Sequence, residues 1–354
     1  MTDYKKELTD LILTTIKEGA SDLHITVGRH PTLRIAGSLI PLIKNPILSP
    51  EDTEGLVFAL LDEENRQRFL QEKDIDFSYA FEDKARFRIN AFFQRGFIGA
   101  SLRFIPAVIK DFKSLNIPDI LCDFANKEQG FFLVVGPIGH GKSTTLASII
   151  DYINHSRSEH VLTIEDPIEY FFIQDKSIID QREVKTDTKD FYKALRSMFR
   201  QDVNVAMIGE MRDTETISTA ITAAETGHLI FSSLHTNNAS QSIDRIIDSF
   251  PPEQQTQIRL QLSNALLGVF SQRLVPRVSG GLIPAYELMI CNSAIKNLIR
   301  ERRTHEIDIV IETSFELGMV SLNRSLANLV RQGEISVENA IAYSLNSKEL
   351  EGLL

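Results

Sequence analysis

One glycine-rich segment, Gly136 to Ser143, carries the strongest chemical signal in the chain, because it fits G-x-x-x-x-G-K-[ST] at every fixed position. Glycines let a backbone wrap around phosphate oxygens and point its N–H groups at them. Lys142 would bring positive charge to the β- and γ-phosphates, and the Ser143 hydroxyl would bind Mg²⁺. The predicted nucleotide-binding residues are Gly136, Pro137, Ile138, Gly139, His140, Gly141, Lys142, Ser143 and Thr144.

Two residues of this segment have alternative interpretations. His140 could contact either phosphate or solvent, and solvent is the favoured alternative. Thr144 fits better as a hydroxyl of the first helical turn than as a ligand of the nucleotide.

Acidic residues follow two other apolar segments. The run 205–208 leads into Gly209 and Glu210, and the run 161–164 leads into a cluster of three acids, Glu165, Asp166 and Glu169. Nucleotide hydrolysis needs one carboxylate near Mg²⁺ and one that orients or deprotonates water. We expect Ser143 to be a metal ligand, and Glu210 and the acidic cluster are the candidates for the two carboxylate roles.

Two histidines flank a further apolar segment, with His228 before it and His235 after it. A pair of this kind in a nucleotide domain could sense the γ-phosphate. A histidine is also common as a hydrogen-bonded core residue, and the residues alone leave both interpretations open.

These groups need a scaffold, and the chain after Pro118 alternates short apolar runs with amphipathic segments. Uninterrupted apolar runs are typical of parallel strands that are covered on both faces. Acids at the carboxyl ends of such strands converge on one edge of the sheet. We therefore predict an α/β domain, mainly helical from about Pro252, with strands at 131–135, 160–164, 205–208 and 229–232 and helices at 145–154 and 191–199.

The first hundred residues predict a separate α+β domain. An amphipathic helix ends at Gly19, and helical character returns at 51–71. The segment between Pro106 and Pro118 has no periodicity and is the best linker candidate. The predicted limits are 1–106 for the first domain, 107–118 for the linker and 119–354 for the second domain, with strands near 22–27, 32–35, 77–81, 85–92 and 99–104.

Composition excludes several classes of protein. The chain has 354 residues, enough for two domains, and a formal net charge of −10, which disfavours nucleic acid as a partner. Two cysteines are too few for a disulfide framework or a four-cysteine zinc site, and they favour a reducing compartment. The first helix is charged throughout, unlike a signal peptide, and apolar runs are far shorter than the roughly 18 residues of a membrane span. We expect a cytoplasmic protein.

Together the motifs resemble those of the secretion ATPase superfamily and, within it, the PilT-type pilus-retraction ATPases. The glycine-rich segment resembles the family's Walker A motif, and the likeness extends from Gly19 to the end of the chain. AIKNLIRE (294–301) resembles the C-terminal signature of retraction motors, with Lys296 where the family has Arg. IEDPIE (164–169) resembles the Asp box, IGEMRD (208–213) the Walker B motif and TAAETGH (222–228) the His box.

The resemblance implies a PAS-like N-terminal domain, a RecA-like P-loop ATPase domain and a ring-shaped homohexamer that uses ATP and Mg²⁺. It implies that ATP hydrolysis moves these domains and drives pilin disassembly, pilus retraction and twitching motility. The ring would lie in the cytoplasm, peripherally associated with the inner membrane at the base of a type IV pilus. Its partners would be the inner-membrane pilus platform protein and, as an option, a second retraction ATPase.

The resemblance also assigns roles to residues. Glu210 would be the Walker B acid, and Glu169 would polarise the attacking water, with Glu165 as the alternative. His228 would line the nucleotide. Arg88 and Arg103, on neighbouring predicted strands, match the family's phosphate-contacting arginines. An arginine at the γ-phosphate would stabilise transition-state charge.

Three alternatives stay open. An accessory (PilU-like) retraction ATPase would share most of these motifs. A pilus-assembly or type II secretion ATPase usually carries a four-cysteine zinc motif, which Cys122 and Cys291 cannot form. A nucleotide-gated scaffold would bind ATP and hydrolyse little of it.

Overall fold

The computed structural model describes residues 3–35, 37–82, 85–105 and 108–354. Contacts divide the chain into two compact units. The first unit runs to Val108 and also contains Pro167–Phe171, and the second contains Ile109–Asp166 and Phe172–Leu354. The domain limits 1–106, 107–118 and 119–354 stay a prediction, and residues 106 and 107 lie outside the described part of the chain.

In its described residues, the first unit is a six-stranded antiparallel sheet with three helices, in the order β3-β2-β1-β6-β5-β4. Every second side chain of β5 is buried, as in Phe87, Ile89 and Ala91, because one face of an antiparallel sheet packs on the core. The elements are α1 (Tyr4–Lys17), β1 (Asp22–Ile25), β2 (Thr32–Ile35), β3 (Ser38–Pro41), α2 (Pro50–Phe58), α3 (Glu63–Glu72), β4 (Asp74–Phe81), β5 (Ala85–Gln94) and β6 (Phe97–Ile105).

The α+β prediction for this region is confirmed, with two differences. The helical stretch predicted at 51–71 is two helices, because the Asp62 side chain accepts from the backbone N–H of Asn65 and starts α3 afresh. Strand β3 was not predicted, since all four of its residues are exposed and give no alternating pattern. The PAS-like assignment stays a prediction.

The second unit is built on a seven-stranded sheet of its described residues, in the order β13-β12-β7-β11-β10-β8-β9. Six of these strands are parallel, and β13 pairs antiparallel to β12. All six residues of β7 are buried, because helices cover both faces of the sheet. The predicted parallel sheet flanked by helices is confirmed. The strands are β7 (Gly130–Val135), β8 (His160–Glu165), β9 (Ile178–Glu183), β10 (Val205–Ile208), β11 (Leu229–Leu234), β12 (Leu266–Pro276) and β13 (Leu282–Ile290).

The helices of this unit begin close to where the residues place them. The predicted helix at 145–154 is α6 and starts three residues earlier, at Lys142. No helix among the described residues is long and apolar enough to cross a lipid bilayer. The helices are α4 (Phe112–Leu115), α5 (Leu121–Ala125), α6 (Lys142–Ser156), α7 (Phe191–Met198), α8 (Thr214–Glu225), α9 (Ala239–Asp248), α10 (Pro252–Ala265), α11 (Ser293–Arg300), α12 (Ile307–Thr313), α13 (Leu322–Arg331), α14 (Val337–Tyr343) and α15 (Ser347–Glu351), with 3₁₀ turns at Thr304–Glu306 and Phe315–Leu317.

The prediction of a mainly helical chain after Pro252 is correct for α10 and again from Ser293 onward, and it is wrong for the two longest strands of this sheet, β12 and β13. Polar side chains such as Ser271, Gln272 and Arg273 interrupt the apolar run of β12, so it does not look like a buried strand. This error matters because β12 lies directly beside β7. Strand β7 leads into the glycine-rich segment 136–143, which we call the phosphate loop.

Candidate nucleotide site

The phosphate loop connects the carboxyl end of β7 to α6. Gly136, Gly139 and Gly141 have positive φ angles of 146°, 79° and 81°, a conformation that residues with a Cβ rarely adopt. The first turn of α6 follows the loop directly and presents the positive end of the helix dipole to it. Lys142 is buried there, and Ser143 is exposed. The arrangement is that of an anion site.

Gln272 of β12 holds the loop in shape. Its amide nitrogen donates to the His140 carbonyl at 2.6 Å, and its amide oxygen accepts from the Thr145 hydroxyl at 2.7 Å. A Cβ on Gly136 would lie 2.4 Å from the Gln272 carbonyl oxygen. Glycine at position 136 is therefore required both by its φ angle and by the close approach of β12.

The ring of His140 also binds β12. Its Nδ1 atom accepts from the backbone N–H of Leu274 at 2.9 Å. Burial and the nearby charges of Arg273 and Lys142 lower the pKa of His140, which keeps the ring neutral and able to accept. The sequence analysis favoured solvent for this half-buried side chain and missed its bond to β12, because that strand was not predicted.

Four neighbouring parallel strands, β7, β11, β10 and β8, end at the same edge of the sheet. The residues that follow them are the phosphate loop, His235, Glu210 and the Glu165–Asp166 pair. The structure thus brings the loop, one histidine and three acids to one edge, where ligands of open α/β sheets bind.

A line of contacts joins the loop to Glu210. Nζ of Lys142 donates to the Pro137 carbonyl at 2.9 Å and to Nδ1 of His235 at 3.2 Å. Nε2 of His235 lies 3.5 Å from Oε2 of Glu210. Burial and the charge of Lys142 lower the pKa of His235, although Glu210 acts in the opposite direction. A neutral ring fits both contacts, since it accepts at Nδ1 and donates from Nε2.

The acids lie close together on this edge. Oε1 of Glu210 accepts from the guanidinium of Arg212, which also lies 3.9 Å from Oδ2 of Asp166. Glu165 is buried at the end of β8. It lies against Gly209, where a Cβ would be 3.5 Å from the Glu165 Cα. Arg212 thus lies between Glu210 and Asp166, whereas the Glu165 carboxylate accepts from the Thr163 hydroxyl at 2.8 Å and from the Gln181 side-chain amide at 3.4 Å.

Two other predicted residues lie elsewhere. Glu169 belongs to the first unit, where its Oε1 is 3.7 Å from Nη1 of Arg88. His228 precedes β11 at the opposite, amino edge of the sheet, with its ring edge-on to Phe199 at 5.3 Å. Within the second unit, the structure brings His235 and not His228 to the phosphate loop.

Arg88 and Arg103 are paired directly across β5 and β6 of the first unit. Nε of Arg103 donates to Oδ1 of Asp22 at 3.0 Å, and Arg34 lies 3.9 Å from the other oxygen of that carboxylate. Like charges opposite each other on one face of a sheet repel. Asp22 and Glu169 offset this repulsion, and the Arg103 side chain stays 69% exposed.

Sequence reasoning missed two contributors to this site. Gln272 lies in a strand that was not predicted, because three consecutive polar residues, Ser271, Gln272 and Arg273, interrupt its apolar pattern. Arg212 lies inside the Walker B segment, but nothing in its spacing indicates that it pairs with Glu210.

The chain is similar to known proteins over most of its length. A family model described as type II/IV secretion system protein matches residues 4–282. The type IV pilus retraction ATPase PilT of Pseudomonas aeruginosa is 42% identical over 334 residues, which cover 94% of this chain and 97% of the relative. A twitching motility protein of Neisseria gonorrhoeae is 41% identical over 90% of this chain and 86% of its own length. A crystal structure of the pilus retraction motor PilT with bound ADP superposes with a TM-score of 0.91 at 47% identity, covering 97% of this chain and 98% of that one.

We expect Gly136→Ala to weaken ADP binding about tenfold or more, because the added methyl group would meet the Gln272 carbonyl oxygen and displace the loop. Titration of fluorescent ADP into the purified variant measures the effect.

Gly333→Ala is the matched control for this prediction. Gly333 also has a positive φ, 72°, but a Cβ there meets no atom within 4 Å. It tests a glycine of positive φ that lacks the contact and has a milder backbone conformation than Gly136, so ADP affinity should stay at the wild-type value. Equal affinity of the Gly136 variant and wild type would disprove the proposed role of β12 in shaping the loop.

Proposed function

Since the chain belongs to the type II/IV secretion system protein family, we propose that it is an ATP-hydrolysing motor that powers type IV pilus retraction and twitching motility. The observation that carries the proposal is the line of contacts from Lys142 through His235 to Glu210 at the phosphate loop. The near full-length similarity to PilT supports retraction as the task to which hydrolysis is coupled.

The loop supplies the groups that ATP binding needs. Backbone N–H groups of the loop and of the first turn of α6 would bind the β-phosphate oxygens. Lys142 would reach the β- and γ-phosphates. His235 contacts both Lys142 and Glu210, so a change of charge at the γ-phosphate would reach it from both sides. It is therefore our candidate for the residue that senses the nucleotide state.

The residues present also fit Mg²⁺. No group of three or more His, Cys, Asp or Glu side chains among the described residues forms a metal site of its own. Mg²⁺ is usually held by nucleotide phosphates, water and one or two protein oxygens, which here would be Ser143 and Glu210. When bound, the metal neutralises charge on the β- and γ-phosphates.

A carboxylate of the Asp box would accept the proton of the attacking water, so that ATP and water give ADP and phosphate. Glu165 is the candidate within the second unit, since it lies on the same edge as Glu210. Glu169 is the candidate that would act from the first unit.

We propose that Arg88 and Arg103 approach the phosphates during hydrolysis. The two arginines lie side by side although their charges repel each other. Such a pair suits the binding of a phosphate group, whose negative charge can interact with both guanidinium groups. The family resemblance further supports a homohexamer in the cytoplasm, attached to an inner-membrane platform protein and, as an option, paired with a second retraction ATPase.

We expect Lys142→Ala to reduce phosphate release to background, because the variant loses the cation that faces the γ-phosphate. Steady-state phosphate release by purified protein measures this. In the bacterium that encodes the chain, the same substitution should leave surplus immobile pili.

Lys113→Ala, an exposed lysine of α4, is the control and should behave as wild type. Wild-type turnover no higher than that of the Lys142 variant would favour a nucleotide-gated scaffold. Loss of pili in the Lys142 strain would instead point to an assembly motor.

Glu210→Ala should keep ADP affinity and lower kcat about 100-fold or more, since it removes a carboxylate that acts during hydrolysis but leaves the loop intact. Binding of fluorescent ADP and phosphate release separate the two effects. The exposed acid Glu253 of α10 provides a control in Glu253→Ala. Parallel loss of binding and turnover in the Glu210 variant would contradict its assignment.

Arg103→Ala should lower kcat roughly tenfold or more without changing the melting temperature of the protein. Phosphate release and thermal unfolding measure the two quantities. Arg34→Ala is the comparison, because Arg34 also approaches Asp22 but is not predicted to contact phosphate. Unchanged kinetics of the Arg103 variant would remove this residue from the site.

A further inference from the structure

A buried carboxylate, Glu287 of β13, lies outside every motif of the nucleotide site. Its side chain accepts from the backbone N–H of Ala239, the first residue of α9, at 2.8 Å. Glu287 is only 7% exposed. Charged side chains are rarely buried to this degree unless they hold a partner in place. The partner here is one of the N–H groups that a helix leaves unpaired at its amino end.

The residues just before Ala239 form the His235 segment, His235–Asn238, which connects β11 to α9. Two side chains of β12 hold the same segment. The Ser271 hydroxyl donates to the Asn237 carbonyl at 2.9 Å, and Nη2 of Arg273 lies 3.3 Å from Oδ1 of Asn237. Ser271 stands directly opposite Glu287 in the antiparallel pair. All three anchors therefore project from one face of β12 and β13.

The amino-terminal end of the His235 segment contacts residues of the candidate nucleotide site. His235 lies 3.2 Å from Lys142 and 3.5 Å from Glu210. Gln272, between Ser271 and Arg273 on β12, binds the phosphate loop from the opposite face of the strand. The β12–β13 pair thus holds both the loop and the His235 segment, and sets the distance between them.

We propose that Glu287 is a positioning residue for hydrolysis: by holding the Ala239 N–H, it keeps the His235 segment where His235 can bridge Lys142 and Glu210. The inference rests on the proposed ATPase function and extends it to a strand outside the nucleotide motifs. Glu287 contacts the backbone of Ala239 at the end of the His235 segment, so its effect on hydrolysis passes through His235.

The surroundings of Glu287 make its ionisation relevant at neutral pH. Burial raises the pKa of Glu287 to about 7, against the opposing effect of the Ala239 N–H. Asp308 and Glu312 of α12 raise the pKa further, and Arg273 lowers it. The ionised form accepts the Ala239 hydrogen bond more strongly. The segment should therefore be held more firmly as the pH rises through 7.

Glu287→Leu and Glu287→Gln test the proposal. The leucine variant loses the acceptor, and we expect kcat to fall ten- to hundredfold while KM and ADP affinity stay within about twofold. The glutamine variant keeps an acceptor oxygen and should stay within about threefold of wild type. Wild-type kcat should rise with pH through 7, and the glutamine variant should lack that step.

Ser271→Ala keeps the test decisive if the leucine variant does not fold. It removes a single hydrogen bond to the same segment, so we expect a smaller fall in kcat, about threefold to tenfold, again with unchanged ADP affinity.

Ser325→Ala is the control. The Ser325 hydroxyl accepts from the backbone N–H of Tyr286, which neighbours Glu287 in β13, but it has no bond to the His235 segment. Its kcat should equal that of wild type.

Either of two results would overturn the proposal. One is a folded Glu287→Leu variant, or a Ser271→Ala variant, with wild-type kcat. The other is a Glu287→Gln variant as impaired as the leucine variant, because an oxygen that can accept the same hydrogen bond would then fail to support hydrolysis. Failure of the proposed function is a distinct outcome, because wild-type protein would then hydrolyse no more ATP than Lys142→Ala.

Discussion

The buried ammonium group of Lys142 is the constraint around which the nucleotide site is organised. A cation removed from water must be given polar partners, or its burial costs more free energy than the fold can supply. The Pro137 carbonyl and the ring of His235 are two such partners, and neither carries a negative charge. They hold the ammonium group in place without cancelling its charge, which is the condition a phosphate-binding cation requires.

Several strands of the second unit position the groups that surround Lys142. His235 can reach Lys142 only because β11 ends beside β7, and Glu210 can reach His235 only because β10 ends beside β11. The loop that carries Lys142 keeps its shape through Gln272 of β12 on its other side. Neighbouring strands therefore each contribute one contact, and the order of strands in the sheet determines the order of groups in the site.

Residue pattern alone predicted the part of this arrangement that depends on local signals. The glycines of the loop and the apolar runs of β7, β8, β10 and β11 report backbone geometry and burial directly, and both predictions hold. Strand β12 carries polar side chains such as Gln272 that bind other parts of the chain, so its pattern resembles a surface segment. The sequence pattern also could not show which histidine lies near the loop, His228 or His235. That depends on which end of β11 lies beside the loop. The contacts of His235 with Lys142 and of Gln272 with His140 join residues 93 and 132 positions apart and leave no local trace.

The pairing of Arg212 with Glu210 has a consequence for ion selectivity. A carboxylate that already pairs with a guanidinium gains little by binding a free divalent ion from solution, since that ion must first displace the guanidinium. A metal that is already bound to the phosphates of a nucleotide brings further ligands. Its binding can therefore offset the loss of the Arg212–Glu210 ion pair. In the resting protein, the ion pair would disfavour binding of a free divalent ion. The nucleotide and its Mg²⁺ would therefore bind together.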